Sequence, residues 1–273
     1  MNNLLVQTWQ LLRKYRLLLA PVALESLIMI LFTGGRGFLD GNHISSLALF
    51  FLHQALLAGW LYQMKIILLE RTAPISWDDF FEGVGRYFWP LLSGASMFFL
   101  LLMVDLSLCS VIAENLFGAL DTAFLEKVMP LLQKGDSAGL EKLLTQNRAI
   151  VTQLMQWSGV LLSGLAVMGI ILALTSFWQS YCVLADQTWV KGWKSSQRLI
   201  FRHPGKMTYL GLLWLLPTLF VQVLLLNNQP LLLVTGLSLD ILSKTYFTLL
   251  FNHAVLQLDR ASITPLPLQK AEV

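Results

Sequence analysis

The feature that most constrains this chain is a long apolar run without a single charge. Residues 160–184 carry neither an acidic nor a basic side chain. About 20 mainly apolar residues are enough for a helix to cross the hydrocarbon core of a bilayer. The run also lacks the alternation of apolar and polar residues that the strands of a membrane β-barrel require. It therefore predicts a membrane-spanning α-helix.

The composition of the 273-residue chain agrees with this prediction. Hydrophobic residues make up 56% of it and charged residues 13%, whereas soluble domains usually carry about 25% charged residues. Such a chain cannot cover itself with a polar surface, which excludes an ordinary soluble enzyme, a disordered chain and a nucleic-acid binder. The two cysteines, Cys109 and Cys182, lie in separate apolar runs, and we expect free, buried thiols rather than a disulfide.

We predict an all-α, polytopic membrane protein with one transmembrane domain over residues 1–260. Residues 261–273 are predicted to form a flexible cytoplasmic tail. Residues 113–156 are predicted to form a long outer loop with amphipathic helices, one of them capped by Ser137. Six stretches are long and apolar enough to be spans, at about 17–33, 44–64, 88–112, 157–185, 207–226 and 231–256.

The distribution of basic residues predicts the orientation of these spans. With the N-terminus in the cytoplasm, thirteen lysines and arginines fall on the inside and five on the outside. An excess of basic residues in the inner loops is the usual rule for membrane proteins. We therefore expect both termini to be cytoplasmic, in the cell (inner) membrane.

A short amphipathic stretch with a tryptophan precedes each odd-numbered span. Trp9, Trp77 and Trp193 mark these stretches, and each stretch ends in a basic residue that is followed by a proline. The pattern is compatible with a threefold repeat of an interfacial elbow helix, a span, an outer turn and a return span. The alternative is that it reflects only the preference of tryptophan and basic residues for the inner interface.

Three blocks within these stretches carry a resemblance to known proteins. Residues 75–83 read Ile-Ser-Trp-Asp-Asp-Phe-Phe-Glu-Gly, residues 86–92 read Arg-Tyr-Phe-Trp-Pro-Leu-Leu, and residues 192–198 read Gly-Trp-Lys-Ser-Ser-Gln-Arg. They resemble the elbow blocks of uncharacterised prokaryotic multi-pass proteins, which are similar to the membrane domain ahead of some glycerophosphodiester phosphodiesterases. The resemblance implies a six-helix membrane module without a known reaction. It carries over no catalytic residue, because no segment here is long and polar enough for the phosphodiesterase barrel.

Four ionisable residues fall near the middle of predicted spans. They are Glu25 in the first span, His53 in the second, and Asp240 and Lys244 in the sixth. A charge at the centre of a span is unfavourable by roughly 2.5–3.5 kcal/mol, so such groups usually face protein or a water-filled cavity. Asp240 and Lys244 can pair on one helix face, and Glu25 needs a proton or a partner such as His53 or Lys244. One interpretation is an intramembrane polar pocket, and the other is pairs that only hold helices together.

The densest group of basic residues follows the fourth span. Lysine and arginine near an anionic leaflet each contribute about 1 kcal/mol to membrane attraction. The group therefore predicts a binding site for the headgroups of inner-leaflet lipids, although orientation alone would also account for it. Its members are Lys191, Lys194, Arg198, Arg202 and Lys206.

No motif for catalysis, for a cofactor or for a metal is present in the sequence. The favoured function is therefore a non-enzymatic membrane protein that engages lipids, a membrane partner protein or a second copy of itself. The alternative is a small transporter or permease subunit for a lipidic or amphipathic solute, with the midplane polar residues along its path. No cofactor and no nucleic-acid partner are expected.

Overall fold

The computed structural model describes residues 2–33, 43–70, 74–120, 124, 126–128, 130–131, 136–225, 230–259 and 263. Regular structure within these ranges is entirely helical, which confirms the predicted all-α class. The predicted tail, apart from Ile263, lies outside the described residues. The helices are α1 Asn2–Lys14, a 3₁₀ helix Arg16–Leu18, α2 Leu19–Thr33, α3 His43–Glu70, α4 Trp77–Phe117, α5 Ser137–Gln146, α6 Arg148–Thr175, α7 Trp178–Leu184, α8 Trp189–Arg202, α9 Pro204–Leu225 and α10 Pro230–Leu258.

Four segments are long and apolar enough to cross a membrane, and they indicate a multi-pass membrane protein. They are Ser46–Leu69 in α3, the whole of α4, Arg148–Leu184 over α6 and α7, and Pro204–Leu224 in α9. Among the described residues, the first and sixth predicted spans do not reach this standard. With 15 residues, α2 measures about 22 Å, less than the roughly 30 Å of hydrocarbon. α10 is long enough with 29 residues, but it contains Asp240, Lys244 and Asn252.

The three predicted elbows differ from one another. The first and third are the separate helices α1 and α8, because Tyr15 interrupts the helix after α1 and His203 does so after α8. Pro204 then begins α9, at a position where its missing N–H is not needed. The second predicted elbow continues into its span as the 41-residue helix α4, with Pro90 inside it.

Contacts divide the chain into two compact units. The first comprises Met1–Ala95 and Leu174–Val273, and α10 is its central helix, since it packs against α1, α2, α3, α7 and α9. Side chains of several helices meet in a core from which water is excluded, among them Leu18, Met64, Leu91, Tyr181, Leu210 and Leu249. The first and last parts of the chain are thus joined in one helical bundle.

The second unit, Ser96–Ala173, contains the end of α4, the helix α5 and most of α6. α4 is followed by Gly118 at φ 83°, the left-handed conformation that closes many helices. The side chain of Gln153 donates to the carbonyl of Phe117 at 2.8 Å, and the indole of Trp157 donates to that of Gly118 at 3.1 Å. Residues of α6 therefore satisfy carbonyl groups that the end of α4 leaves without helical partners.

Two smaller sequence predictions can be compared with the structure. The cap of α5 is Asp136, whose carboxylate accepts a hydrogen bond from the backbone N–H of Gly139 at 2.9 Å, so the prediction of Ser137 was wrong by one residue. A carboxylate suits this position because it also interacts favourably with the positive end of the helix dipole. Cys109 and Cys182 are both free and buried, as predicted.

Candidate functional site

The ionisable residues predicted near the membrane midplane form two close pairs in the first unit. Oε1 of Glu25 on α2 lies 2.7 Å from Nδ1 of His53 on α3. Nζ of Lys244 lies 2.6 Å from Oδ2 of Asp240, one turn earlier on α10. Glu25 thus has a partner from another helix, and of the two candidates that partner is His53.

The four side chains of these pairs differ in exposure. Side chains of His53 and Lys244 are about half exposed, while that of Asp240 is largely buried. Each ionisable group therefore has an opposite charge or a hydrogen-bond partner. This pairing is compatible with helix association and with a polar pocket, so the pocket stays a prediction.

The predicted headgroup site lies on α8 and the start of α9, and all five of its basic residues are exposed. Lys191, Lys194, Arg198 and Arg202 follow one another at intervals of three, four and four residues, which places them along one face of α8. The buried residues of this helix, Gly192, Ser196 and Leu199, form a different face.

α8 is fixed to the first unit through small residues on its buried face. A Cβ atom at Gly192 would stand 2.8 Å from the backbone oxygen of Trp178, so only glycine permits this approach of α8 to α7. The hydroxyl of Ser196 donates to the carbonyl of Leu174 and accepts from the N–H of Phe177, both at 3.1 Å. The basic face of α8 is therefore carried by a helix with a defined position.

A further polar cluster in the first unit was missed by the sequence analysis. The ammonium of Lys65 donates to Oδ2 of Asp186 at 2.7 Å and to the hydroxyl of Tyr87 at 2.9 Å. The Tyr87 hydroxyl donates in turn to Oδ1 of Asp186, and Arg86 lies 3.2 Å from the same oxygen. The side chain of Lys65 is only 5% exposed. We call Lys65, Arg86, Tyr87 and Asp186 the inner cluster, because the predicted topology places them near the cytoplasmic ends of their helices.

The backbone and the ionisation of Asp186 are both unusual. Among the described residues other than glycine, Asp186 alone has a positive φ, 49°, in the left-handed region that aspartate and asparagine tolerate better than most residues. Partial burial opposes ionisation of its carboxyl group. Hydrogen bonds from Lys65 and Tyr87, together with the charges of Lys65 and Arg86, outweigh this effect and lower the pKa below its ordinary value.

A similar contact joins α7 to the end of α10. The hydroxyl of Tyr181 donates to Oδ2 of Asp259 at 2.6 Å, and Arg202 lies 3.8 Å from Oδ1 of the same residue. Arg202 of the predicted headgroup site is therefore already engaged with a protein carboxylate. Lys191, Lys194 and Arg198 are the members of that site on which lipid binding is expected to depend most.

The groups described above contact one another through ion pairs and hydrogen bonds. The described part of the chain contains no set of three histidine, cysteine, aspartate or glutamate side chains that could hold a metal ion. Comparisons of the chain with protein-family models, with curated proteins and with solved structures give no match. The geometry of the first unit is thus the basis for a functional proposal.

Proposed function

We propose that this chain is a non-enzymatic, multi-pass protein of the cell inner membrane that engages anionic lipids of the cytoplasmic leaflet through α8. The observation that carries the proposal is the exposed row of Lys191, Lys194 and Arg198 on one face of α8. A different face of the same helix is held in place by the close contact of Gly192 with Trp178 of α7. Interfacial helices with a basic face and exposed apolar residues bind anionic membranes in this way. α8 has such residues in Val190 and Phe201, which are both exposed.

The proposal includes the full predicted topology. It comprises six spans, both termini in the cytoplasm and three elbow-plus-hairpin units. In this topology α2 is a short span and α10 is a polar one. The placement of α8 at the inner surface rests on this topology, and so does the proposed contact with anionic lipid. The same surface is also proposed to accept a membrane protein partner or a second copy of the chain.

Replacement of Lys191, Lys194 and Arg198 by glutamine is expected to weaken the retention of anionic lipid strongly. Each basic residue near an anionic surface contributes about 1 kcal/mol, roughly a fivefold change in affinity. Purification of wild-type and variant protein in a mild detergent, followed by mass spectrometry of the bound lipids, measures the loss.

The matched control replaces Lys127, Lys142 and Arg148, which are also exposed and which the topology places outside. It removes the same number of charges, and its retained anionic lipid should equal that of the wild type. Equal losses in both triple variants would show a nonspecific charge effect and contradict the proposal.

The proposed topology can be tested by the accessibility of single engineered cysteines. Ser137→Cys is expected to react with a membrane-impermeant maleimide from outside intact cells, and Ser195→Cys only after the cells are permeabilised. The native cysteines are buried, so the background labelling of the protein without an engineered cysteine should be low. Labelling of Ser195→Cys in intact cells would show that α8 faces the outside and would contradict the proposed orientation.

An alternative function is favoured by the two midplane pairs. Glu25 with His53 and Asp240 with Lys244 place four ionisable groups within α2, α3 and α10, and transporters use such groups along their substrate paths. The chain would then be a transporter or permease subunit for a lipidic or amphipathic solute. This function requires water to reach Glu25 through the bilayer, whereas the lipid-engaging function does not.

A further inference from the structure

A groove in the first unit lies beside the inner cluster and belongs to neither of the predicted sites. It runs between the N-terminal part of α4 and the segment that joins α7 to α8, and its volume is ≈ 660 Å³. Ligand sites in proteins commonly have volumes of about 300–1,000 Å³. The residues around it include Arg86, Trp89, Pro90, Ser93, Asp186 and Trp189.

The groove presents a cation and an anion side by side. The side chains of Arg86 and Asp186 are 45% and 29% exposed, and they are 3.2 Å apart. A guanidinium has five N–H donors. The contact of Arg86 with Asp186 leaves some of these donors available for a ligand. The Asp186 carboxylate accepts hydrogen bonds from Lys65 and Tyr87 and forms an ion pair with Arg86, and a carboxylate has about four acceptor positions. Both groups can therefore bind a ligand without leaving the cluster.

Aromatic side chains border this pair of charges. Trp89 is 69% exposed, and it lines the groove together with Trp189 and Pro90. Tryptophan is enriched where the headgroups meet the acyl chains, because its ring is apolar and its N–H is polar. Its ring face also attracts ammonium groups. The wall of the groove thus suits both an alkyl chain and a nearby amine.

We propose that this groove binds the headgroup of a zwitterionic aminophospholipid, the phosphoethanolamine type. The phosphate accepts hydrogen bonds from Arg86, the primary ammonium donates to Asp186, and the first part of an acyl chain lies against Trp89 and Pro90. The inference rests on the proposed function, because both place these residues at the inner leaflet.

The same contacts distinguish this ligand from other phospholipids. A phosphatidylglycerol headgroup has the phosphate but no cation for Asp186. A phosphatidylcholine headgroup has a cation, but its quaternary nitrogen has no N–H to donate to the carboxylate. The soluble compound glycerophosphoethanolamine has both charges but lacks the chain that would contact Trp89.

The test is a lipid titration of the full chain in detergent, followed by native mass spectrometry. Phosphatidylethanolamine, phosphatidylcholine and phosphatidylglycerol with identical acyl chains are compared on wild type, Arg86→Gln and Trp89→Ala. Trp89→Ala changes an exposed residue, so it keeps the test valid if Arg86→Gln disturbs the fold. The control is Arg13→Gln, which removes an exposed arginine of α1 that is not among the groove residues.

Wild type and Arg13→Gln are expected to retain phosphatidylethanolamine at least fivefold better than phosphatidylcholine, and both groove variants should lose this preference. The comparison with phosphatidylglycerol is made on the α8 triple variant, which lacks the proposed site for anionic lipid and should also prefer phosphatidylethanolamine at least fivefold. Equal retention of phosphatidylethanolamine and phosphatidylcholine by the wild type, or an unchanged preference in both groove variants, would overturn the inference. Displacement of the lipid by an equimolar amount of glycerophosphoethanolamine would also overturn it, since the chain would then contribute nothing. The α8 triple variant, which tests the proposed function, should lose anionic lipid and keep the preference for phosphatidylethanolamine.

Discussion

Replacement of Asp186 by asparagine is expected to destabilise the protein by about 3 kcal/mol and to lower its Tm in detergent by roughly 6–12 °C. The change leaves the ammonium of Lys65, whose side chain is 5% exposed, without its carboxylate partner. Removal of one partner from a buried ion pair is strongly unfavourable because the remaining charge is desolvated and unpaired.

Asparagine is the informative substitution because it changes the charge and little else. Asp186 has a φ of 49°, and asparagine tolerates this left-handed conformation about as well as aspartate does. It also keeps an oxygen that can accept from the hydroxyl of Tyr87. The loss of stability in this variant therefore reports the electrostatic interaction of Asp186 rather than backbone strain.

A double variant separates this interaction from other effects. Lys65→Met with Asp186→Asn removes both charges, so no buried charge is left without a partner. We expect the double variant to recover most of the Tm that Asp186→Asn loses. A double variant that melts no higher than the single one, or a single variant that melts like the wild type, would contradict the proposed pairing.

The pH dependence of stability should have a defined sign. The pKa of Asp186 is lowered in the folded protein from its ordinary value of 3.8, so the unfolded chain takes up a proton first as the pH falls. The stability that the ionised carboxylate contributes is thus present above pH 3.8 and is lost as the pH falls towards the lowered pKa. The Asp186→Asn variant should show a smaller loss of Tm over that acidic range than the wild type does.

The apolar spans could be predicted from the sequence because insertion in a bilayer requires long runs without charge. The uncharged residues 160–184 lie within α6, α7 and the turn between them. The ends of the helices could not be predicted equally well. The fourth span was predicted to begin near residue 157, whereas α6 begins at Arg148. Hydropathy reports where a helix enters the apolar phase, and a helix continues beyond it wherever its backbone hydrogen bonds remain satisfied.

The inner cluster could not be predicted from local patterns. Asp186 is separated from Lys65 by 121 positions and from Tyr87 by 99, so no helical spacing links the three residues. The available signals were weaker: Lys65 lies within an apolar stretch, and Asp186 is the first charged residue after the run 160–184. Each indicates a group that needs a partner, but neither indicates which one.

The continuity of α4 has a cause that lies outside its own sequence. The sequence predicted a separate elbow before Pro90 from its amphipathic, tryptophan-bearing stretch, and a proline inside a helix removes one backbone hydrogen bond. The structure packs this part of α4 closely against α3, where Gly83 faces Gly59 and Tyr62. Contacts between the two helices thus support a helical conformation that the proline alone disfavours.

This close packing leads to the second large expected effect, which concerns Gly83. A Cβ atom at Gly83 would stand 3.0 Å from the Cα of Gly59 and would overlap the Cβ of Tyr62. These two atoms belong to the rigid part of α3, so they cannot move aside without a shift of the helix. Gly83→Ala is therefore expected to destabilise the protein by about 2 kcal/mol, roughly 4–8 °C in Tm, although alanine favours helix formation.

Gly85 provides a control on the same helix, two residues away. A Cβ atom there would meet no atom of a neighbouring helix within 4 Å. Unlike Gly83→Ala, the Gly85→Ala substitution therefore causes no steric clash and changes only the helix propensity, which alanine raises. That gain is about 0.5–1 kcal/mol, and the Tm of Gly85→Ala in detergent should equal or exceed that of the wild type. Opposite shifts of Tm in the two variants would establish the contact between α3 and α4. Stabilisation by both substitutions would mean that α4 stands further from α3 than the structure places it, and the support for its continuity through Pro90 would be lost.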